Sequence, residues 1–307
     1  MTVLEDRLAE YLHVRRQLGF KLEQDGDLLA NFVAFLQAAG AERVTIDLSL
    51  WWARRPGVSG RWQMARLGMV RGFARYLATI DPATEIPPVD LLHARQTRTP
   101  PYVYCEREIS ELIAAAGALT PALRGATYRT VIGMMASSGT RLGETLALDR
   151  GDVDLKQGVL HIRDGKGRRH RDVPVHATTT QVLRGYARLR DRTCPQPNTP
   201  AFFIGPAGTP ITARRFRKTF CRLIAHVDPP PGHEHTHRRP HDLRHSFAVR
   251  TLVGWHHAGV DIDQAMPLLS MYLGHLNPSS SYWYLQASPK LIALVASRLD
   301  SALGERS

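Results

Sequence analysis

Cysteine, lysine and long apolar runs are what this 307-residue chain has least of. Its three cysteines, Cys105, Cys194 and Cys221, are widely separated and form no CxxC pair, which supports neither a disulfide framework nor a cysteine-held zinc site. They read as buried or incidental thiols. No apolar stretch approaches the ~18 residues that a membrane helix requires, and no charged leader precedes a short apolar core, so a cytoplasmic protein is expected. Acidic residues are also few: 28 Asp and Glu stand against 40 Lys and Arg, a formal net charge of +12. Only five of those 40 are lysines. A GC-rich genome explains an arginine bias as readily as function does, while an acidic polymer is the natural partner of so basic a chain. With 43% hydrophobic and 22% charged residues the composition is that of a globular protein, long enough for two buried cores.

Up to about Ile80 the apolar residues recur at three-and-four spacing, Leu4, Leu8, Tyr11 and Leu12, then Leu28, Leu29, Phe32, Val33 and Leu36, which predicts helices. Four fit the region. The third covers Leu48 to Arg54 and the fourth Ser59 to Thr79, the latter carrying Arg61, Arg66, Arg71 and Arg75 without matching acids. Those arginines read either as a solvated face or as a helix lying along a DNA groove. A polar, basic, proline-bracketed stretch follows and reads as a linker over residues 93–102. The expected domains are therefore 1–92, all helical, and 103–307. In the second, helices are expected near Glu106 to Ala116 and Thr127 to Ser137, then a short one after Gly139 bearing Arg141 and Glu144. Val159 to Arg163 and Arg171 to Val175 alternate with period two around Asp164-Gly165-Lys166-Gly167, a β-hairpin signal. Further helices are expected over Thr178 to Arg190, Ala213 to Ala225, His241 to Trp255 and Gln264 to Tyr272. A last amphipathic helix over residues 289–303 is expected to dock on its own domain or on a neighbouring protomer.

His241-Asp242-Leu243-Arg244-His245 carries the densest chemistry. One helical turn separates His241 from Arg244, so both point at one target from a helix whose entry is set by Pro240; His245 is read as lying on a different face, in a packing role. Upstream, Arg141 follows a glycine turn at a helix start, where backbone N–H groups also favour phosphate, and its planar fork suits two phosphate oxygens. Glu144 shares that face and supports rather than catalyses. A phosphodiester resists attack because its charge repels nucleophiles and its alkoxide leaves poorly, so its cleavage needs fixed cations, a proton donor and an activated nucleophile. Arginines, a lysine, histidines and a tyrosine supply all three. Tyr272, Tyr282 and Tyr284 are alike in local chemistry, each an aromatic at a helix edge, with an unperturbed phenol pKa near ~10.

Three motifs, Ser138-Gly139-Thr140-Arg141-Leu142-Gly143-Glu144, His241 to His245, and Leu273-Gly274-His275 followed nine residues later by Tyr284, resemble the tyrosine recombinase (phage integrase) family, in the family's order. By motif the resemblance covers roughly residues 103 to 290; the first part is similar to the family's SAM-like core-binding domain by architecture only. It implies a mainly α fold with a small β-sheet in an α+β catalytic domain, the two domains clamping duplex DNA. It implies that Arg141, Lys166, His241, Arg244 and His275 are catalytic, that Lys166 protonates the leaving 5′ oxygen, and that Tyr284 is the nucleophile, with Tyr282 the second choice. Arg168, Arg169 and Arg171 would add phosphate contacts beside Lys166. The resemblance further implies a 3′-phosphotyrosyl intermediate, transesterification without ATP, cofactor or metal, and a four-protomer synapse, in some cases with a second recombinase. The segment Asn277 to Ser281 departs from the family's more helical connector.

Three rivals are set beside this reading. His233-Glu234-His235-Thr236-His237 satisfies HExxH formally, but that zinc motif works only on a helix and this one lies among prolines. A type IB topoisomerase shares the site chemistry, against which stand the short length and the motif spacing. A noncleaving DNA-binding regulator would not need the complete residue set.

Overall fold

Amphipathic spacing in the first unit, Met1–Arg98, gives four helices: α1 (Val3–Gln17), α2 (Glu23–Ala38), α3 (Ile46–Ala53) and α4 (Gly60–Leu77). The computed structural model describes residues 2–20, 22–92, 101–163, 170–234 and 236–275, apart from the side chains of residues 23 and 24. Polar caps set the starts of two of these helices: Thr45 Oγ1 accepts from Leu48 N at 3.3 Å and Ser59 Oγ from Trp62 N at 3.4 Å, satisfying backbone donors that a helix start leaves open. The apolar faces meet in one core that includes Leu8, Phe32, Leu36, Trp52, Leu67, Phe73 and Leu77. Two of the four α4 arginines turn inward, contrary to a helix wholly laid along DNA. Arg66 is buried with its guanidinium 3.8 Å over the Trp52 ring, a cation–π contact. Arg71 donates from Nε and Nη2 to the carbonyls of Pro87 and Pro88, both at 2.6 Å. Arg61 and Arg75 are exposed.

The second unit, Thr99–Ser307, contains α5 (Glu106–Gly117), α6 (Ala122–Ser138), α7 (Leu142–Leu146), a 3-10 turn Arg150–Asp152, strands β1 (Val153–Asp154), β2 (Val159–Ile162) and β3 (Arg171–Pro174), then α8 (Ala177–Thr193), α9 (Ala213–Ile224), α10 (Pro240–His257) and α11 (Ile262–Leu273). The protein is thus mostly helical with a small antiparallel sheet of order β1-β2-β3. Val159 pairs with Pro174 and Ile162 with Arg171, so the expected hairpin forms with Arg171 at the tip end of its outgoing strand. Helix α6 runs through the centre, packed on α5, α8 and α10. It begins at Ala122, earlier than its apolar spacing suggests, because Leu123, Gly125, Ala126 and Thr127 are buried along with the residues that follow. A helix buried on most sides shows no amphipathic period.

Lys166, Arg168, Arg169, Tyr282, Tyr284 and the helix expected over 289–303 lie outside the described residues. Among the described residues no helix is long and apolar enough to cross a membrane.

Candidate active site

Helix α11 ends in a way that organises the site. Gly274 adopts φ 67° as its C-cap, a left-handed conformation that glycine enters without the Cβ penalty. The turn lets Gly274 N donate to Met271 O at 2.9 Å and His275 N to Ser270 O at 3.0 Å. The next three carbonyls point out of the helix end, and each accepts from a different arginine. Tyr272 O takes Arg171 Nε at 3.0 Å, Leu273 O takes Arg244 Nη2 at 2.7 Å and Gly274 O takes Arg141 Nη2 at 2.8 Å. A helix C-terminus leaves its last carbonyls unsatisfied and carries partial negative charge, so three guanidinium groups there are favoured twice over. The positive charge gathered by β3, α7 and α10 is thereby fixed around the backbone that presents His275.

Arg141 is the N-cap residue of α7, placed by the left-handed turn at Gly139, φ 63°. A hydroxyl chain below the turn holds it: Thr140 Oγ1 lies 2.9 Å from Thr145 Oγ1 and 3.2 Å from Ser138 Oγ, all three residues buried. Glu144 both caps the helix and orients the guanidinium. Its Oε2 accepts from Arg141 N at 3.1 Å, capping the helix, and its Oε1 accepts from Arg141 Nη1 at 2.5 Å. The same carboxylate accepts from Arg171 Nη2 at 2.7 Å and Nη1 at 3.2 Å. Burial alone would raise the Glu144 pKa; the hydrogen bond and charge of Arg171, then those of Arg141, outweigh it and hold the carboxyl below its ordinary value.

Helix α10 begins with Pro240 at its first position, and Asp242 accepts from Arg239 N at 2.8 Å. One turn on, Arg244 is 1% exposed and donates from Nη1 to Gly139 O at 2.7 Å, tying α10 to the turn that carries Arg141. His245 does not lie on a face apart from His241. The two rings meet edge to face with centroids 4.8 Å apart, because residues four apart on a helix stack one above the other. His241 keeps an exposed edge, yet desolvation and then the charges of Arg244, Arg141 and Arg239 push its pKa down to about 4. His275 is pushed down to about 3 by desolvation and then by Arg244, Arg141, His241 and Arg171. Both imidazoles are neutral at pH 7, fit to accept a proton or to donate from one ring N–H.

Arg141, Arg244, His241 and His275 therefore come together from three separate stretches of sequence, with Glu144 among them. Lys166 and Tyr284 lie outside the described residues. Of the tyrosines, Tyr272 has its hydroxyl donated to Pro174 O at 3.1 Å, and burial pushes its pKa up to about 12; it is built in as a strut. Arg171, expected to face DNA phosphate, is placed inward, its side chain 12% exposed and its guanidinium on Glu144 and Tyr272 O. The HExxH stretch forms no helix at its described positions: Glu234 Oε1 accepts from Gly232 N, and the His233 ring stands edge-on to Tyr102. Among the described residues no group of three or more His, Cys, Asp or Glu is placed to hold a metal ion.

The cationic face of α9 was missed by sequence reasoning. Arg214, Arg215, Arg217, Lys218 and Arg222 are all exposed while Phe216, Phe220, Leu223 and Ile224 are buried, and none of the five forms an ion pair among the described residues. The signal was present, since the helix has five cations and no acid, the criterion that singled out α4.

Residues 104–290 match the model of the phage integrase family. The chain belongs to this family, the tyrosine recombinases. It is 38% identical, over the whole of both chains, to a protein of Sinorhizobium fredii named as an integrase/recombinase, y4rB. It is 25% identical to the tyrosine recombinase XerC of Bacillus subtilis, covering 92% of this chain and 91% of that one. Among solved structures the fold is shared with the Tn1549 transposon integrase in complex with a circular intermediate DNA, TM-score 0.63 at 16% identity over 95% of this chain and 99% of that one. It is also shared with the XerH recombinase bound to its palindromic difH substrate in a post-cleavage complex, TM-score 0.62 at 19% identity over 87% and 76%. As a tyrosine recombinase the chain is an enzyme, and Arg141, His241, Arg244 and His275 all fall within the matched region.

Proposed function

We propose that the chain is a site-specific DNA recombinase that cuts and rejoins duplex DNA through a tyrosine, and that Tyr284 attacks the phosphorus, releases a 5′ hydroxyl and becomes a 3′-phosphotyrosyl ester. A 5′ hydroxyl of the partner duplex then attacks that ester and frees the tyrosine. Each step exchanges one phosphate ester for another, so no ATP is needed, and side-chain cations supply the charge neutralisation for which other phosphoryl-transfer enzymes use a metal. The observation that carries the reading is the gathering of Arg141, Arg244, His241 and His275 around the end of α11. Arg141 grips the non-bridging oxygens and Arg244 supplies the second positive charge behind it. His241 and His275, neutral before DNA arrives, hydrogen-bond the phosphate or take the tyrosine's proton. Lys166 protonates the leaving oxygen. The first unit serves as the core-binding domain, and Arg61 and Arg75 with the α9 cations and the hairpin residues Arg168 and Arg169 track the DNA backbone. Full exchange takes two duplexes and four protomers in a synapse, in the cytoplasm, in the service of integration, excision, transposition or dimer resolution.

A nicked suicide duplex, in which the released strand fragment diffuses away and traps the covalent enzyme, tests this directly. Duplexes tiled across the DNA flanking the encoding gene serve as probes. A denaturation-resistant protein–DNA adduct is expected from the native chain and from Tyr272→Phe, and none from Tyr284→Phe. Adduct retained in Tyr284→Phe and lost in Tyr282→Phe would move the nucleophile two residues, and native protein that binds these duplexes without ever forming adduct would remove the enzymatic reading. Joining of two sites, rather than relaxation of one supercoiled plasmid, then separates recombinase from topoisomerase.

A further inference from the structure

Arg171 is the one cation of the cluster that the catalytic scheme leaves without a task, and it has the most demanding surroundings. Its guanidinium bonds both oxygens of Glu144 and the carbonyl of Tyr272. The fit is close enough that a Cβ on Gly274 would lie 2.7 Å from Arg171 Nη1 and 2.9 Å from its Cζ. Those contacts close a ring. Arg171 holds Glu144, Glu144 holds Arg141, Arg141 holds Gly274 O, and two residues back along the backbone Tyr272 O returns to Arg171. Members of such a ring restrain one another, since no side chain turns without breaking two bonds.

The electrostatics give the ring a second consequence. Glu144 is the acid that Arg141 and Arg171 share, and the three together carry one net positive charge. Without Arg171 the buried carboxylate would belong to Arg141 alone. A bidentate pair of that kind cancels the charge that a phosphate is to meet and turns the guanidinium fork away from it. We infer that Arg171 is a positioning residue for strand cleavage: by engaging Glu144 and the Tyr272 carbonyl it aims the Arg141 guanidinium and keeps its positive charge available to the scissile phosphate. The inference rests on the proposed cleavage chemistry and adds to it a residue that need not touch DNA.

The test reads the single-turnover rate of adduct formation at saturating DNA, on a suicide duplex that the native chain cleaves, with duplex affinity measured separately. Arg171→Gln is expected to slow the step by on the order of 10²-fold, the scale of a small misplacement of a reacting group. Removing the acid as well, in Arg171→Gln with Glu144→Gln, restores the single net positive charge on Arg141 and is expected to recover at least about tenfold of that loss, a coupling normal for neighbours in one network. Arg171→Lys, which keeps the charge but cannot form the planar double bond to a carboxylate, is expected to fall between Arg171→Gln and the native chain. Thermal unfolding of each variant identifies any that fails to fold, and the lysine variant then carries the comparison. A double variant no faster than Arg171→Gln, or a lysine variant as slow as the glutamine one, would overturn the assignment and leave Arg171 a structural brace. Native protein that forms no adduct at all would strike the cleavage reading instead, so the two failures are told apart.

Discussion

Histidine ionisation at the site runs against the negative ligand that the site is built to meet. The His245 side chain is 9% exposed and its pKa is pushed down to about 3 by desolvation, then by His241 and Arg244; His241 and His275 are depressed alongside it, to about 4 and about 3. In the unfolded chain each returns to about 6.5. Between the folded and unfolded values the unfolded state binds more protons, so stability is fully present above about pH 6.5 and declines as the pH falls through the window. The thermal midpoint of the free protein is therefore expected to drop between pH 7 and pH 5, less steeply in His245→Asn, whose buried titrating group is gone. Melts in buffers of matched ionic strength check this, and equal slopes for the two proteins would show that His245 does not titrate on unfolding. His241 differs, because its exposed edge lets water share the load and a bound phosphate would draw its pKa upward.

At the scale of elements, what the sequence disclosed was whatever repeats within a few residues. Helices α1, α2 and α4 show in their apolar spacing, the β2–β3 hairpin in its alternation around Gly165 and Gly167, and the helix start at Arg141 in its glycine. Relations across the fold stayed hidden. The inward turn of Arg171 depends on Glu144, which lies 27 residues away, and on the missing Cβ of Gly274; as sequence it is one more arginine beside a hairpin. Strand β1 is two residues long and too short to show a period. The α9 face was legible and passed over, and it supports a quantitative expectation. Five exposed cations along one helix would release counterions from a duplex as they meet its phosphates. Replacing Arg217 and Lys218 by alanine is expected to lower the slope of log affinity against log salt by about one per lost phosphate contact, with little change in stability because both side chains are exposed. Fluorescence anisotropy on a labelled duplex across a salt series measures it; an unchanged slope would mean that α9 faces away from the DNA.

For the whole molecule, charge is far from evenly divided. Residues 1–98 carry 13 Lys and Arg against 11 Asp and Glu, whereas residues 99–307 carry 27 against 17, so the second unit holds ten of the twelve net charges. The apolar cores divide along the same line. One cluster from Leu4 to Leu77 lies wholly in the first unit, and the others, from Tyr102 to Leu273, wholly in the second. Each unit therefore buries a core of its own, the condition for folding alone. Since non-specific attraction to DNA follows the number of phosphates neutralised, residues 99–307 expressed by themselves are expected to melt cooperatively and to keep most of the salt dependence of the full chain on a random duplex. Residues 1–98, whose exposed Arg61 and Arg75 are balanced by nearly as many acids, are expected to fold and yet to bind that duplex weakly. The first unit's contribution would then be to hold the second on one site rather than to supply attraction, and it would appear as lost discrimination between cognate and random duplexes when that unit is removed. A fragment 99–307 that folds but loses more than half of the salt slope would reverse the assignment and make the first unit the principal holder of the phosphate backbone.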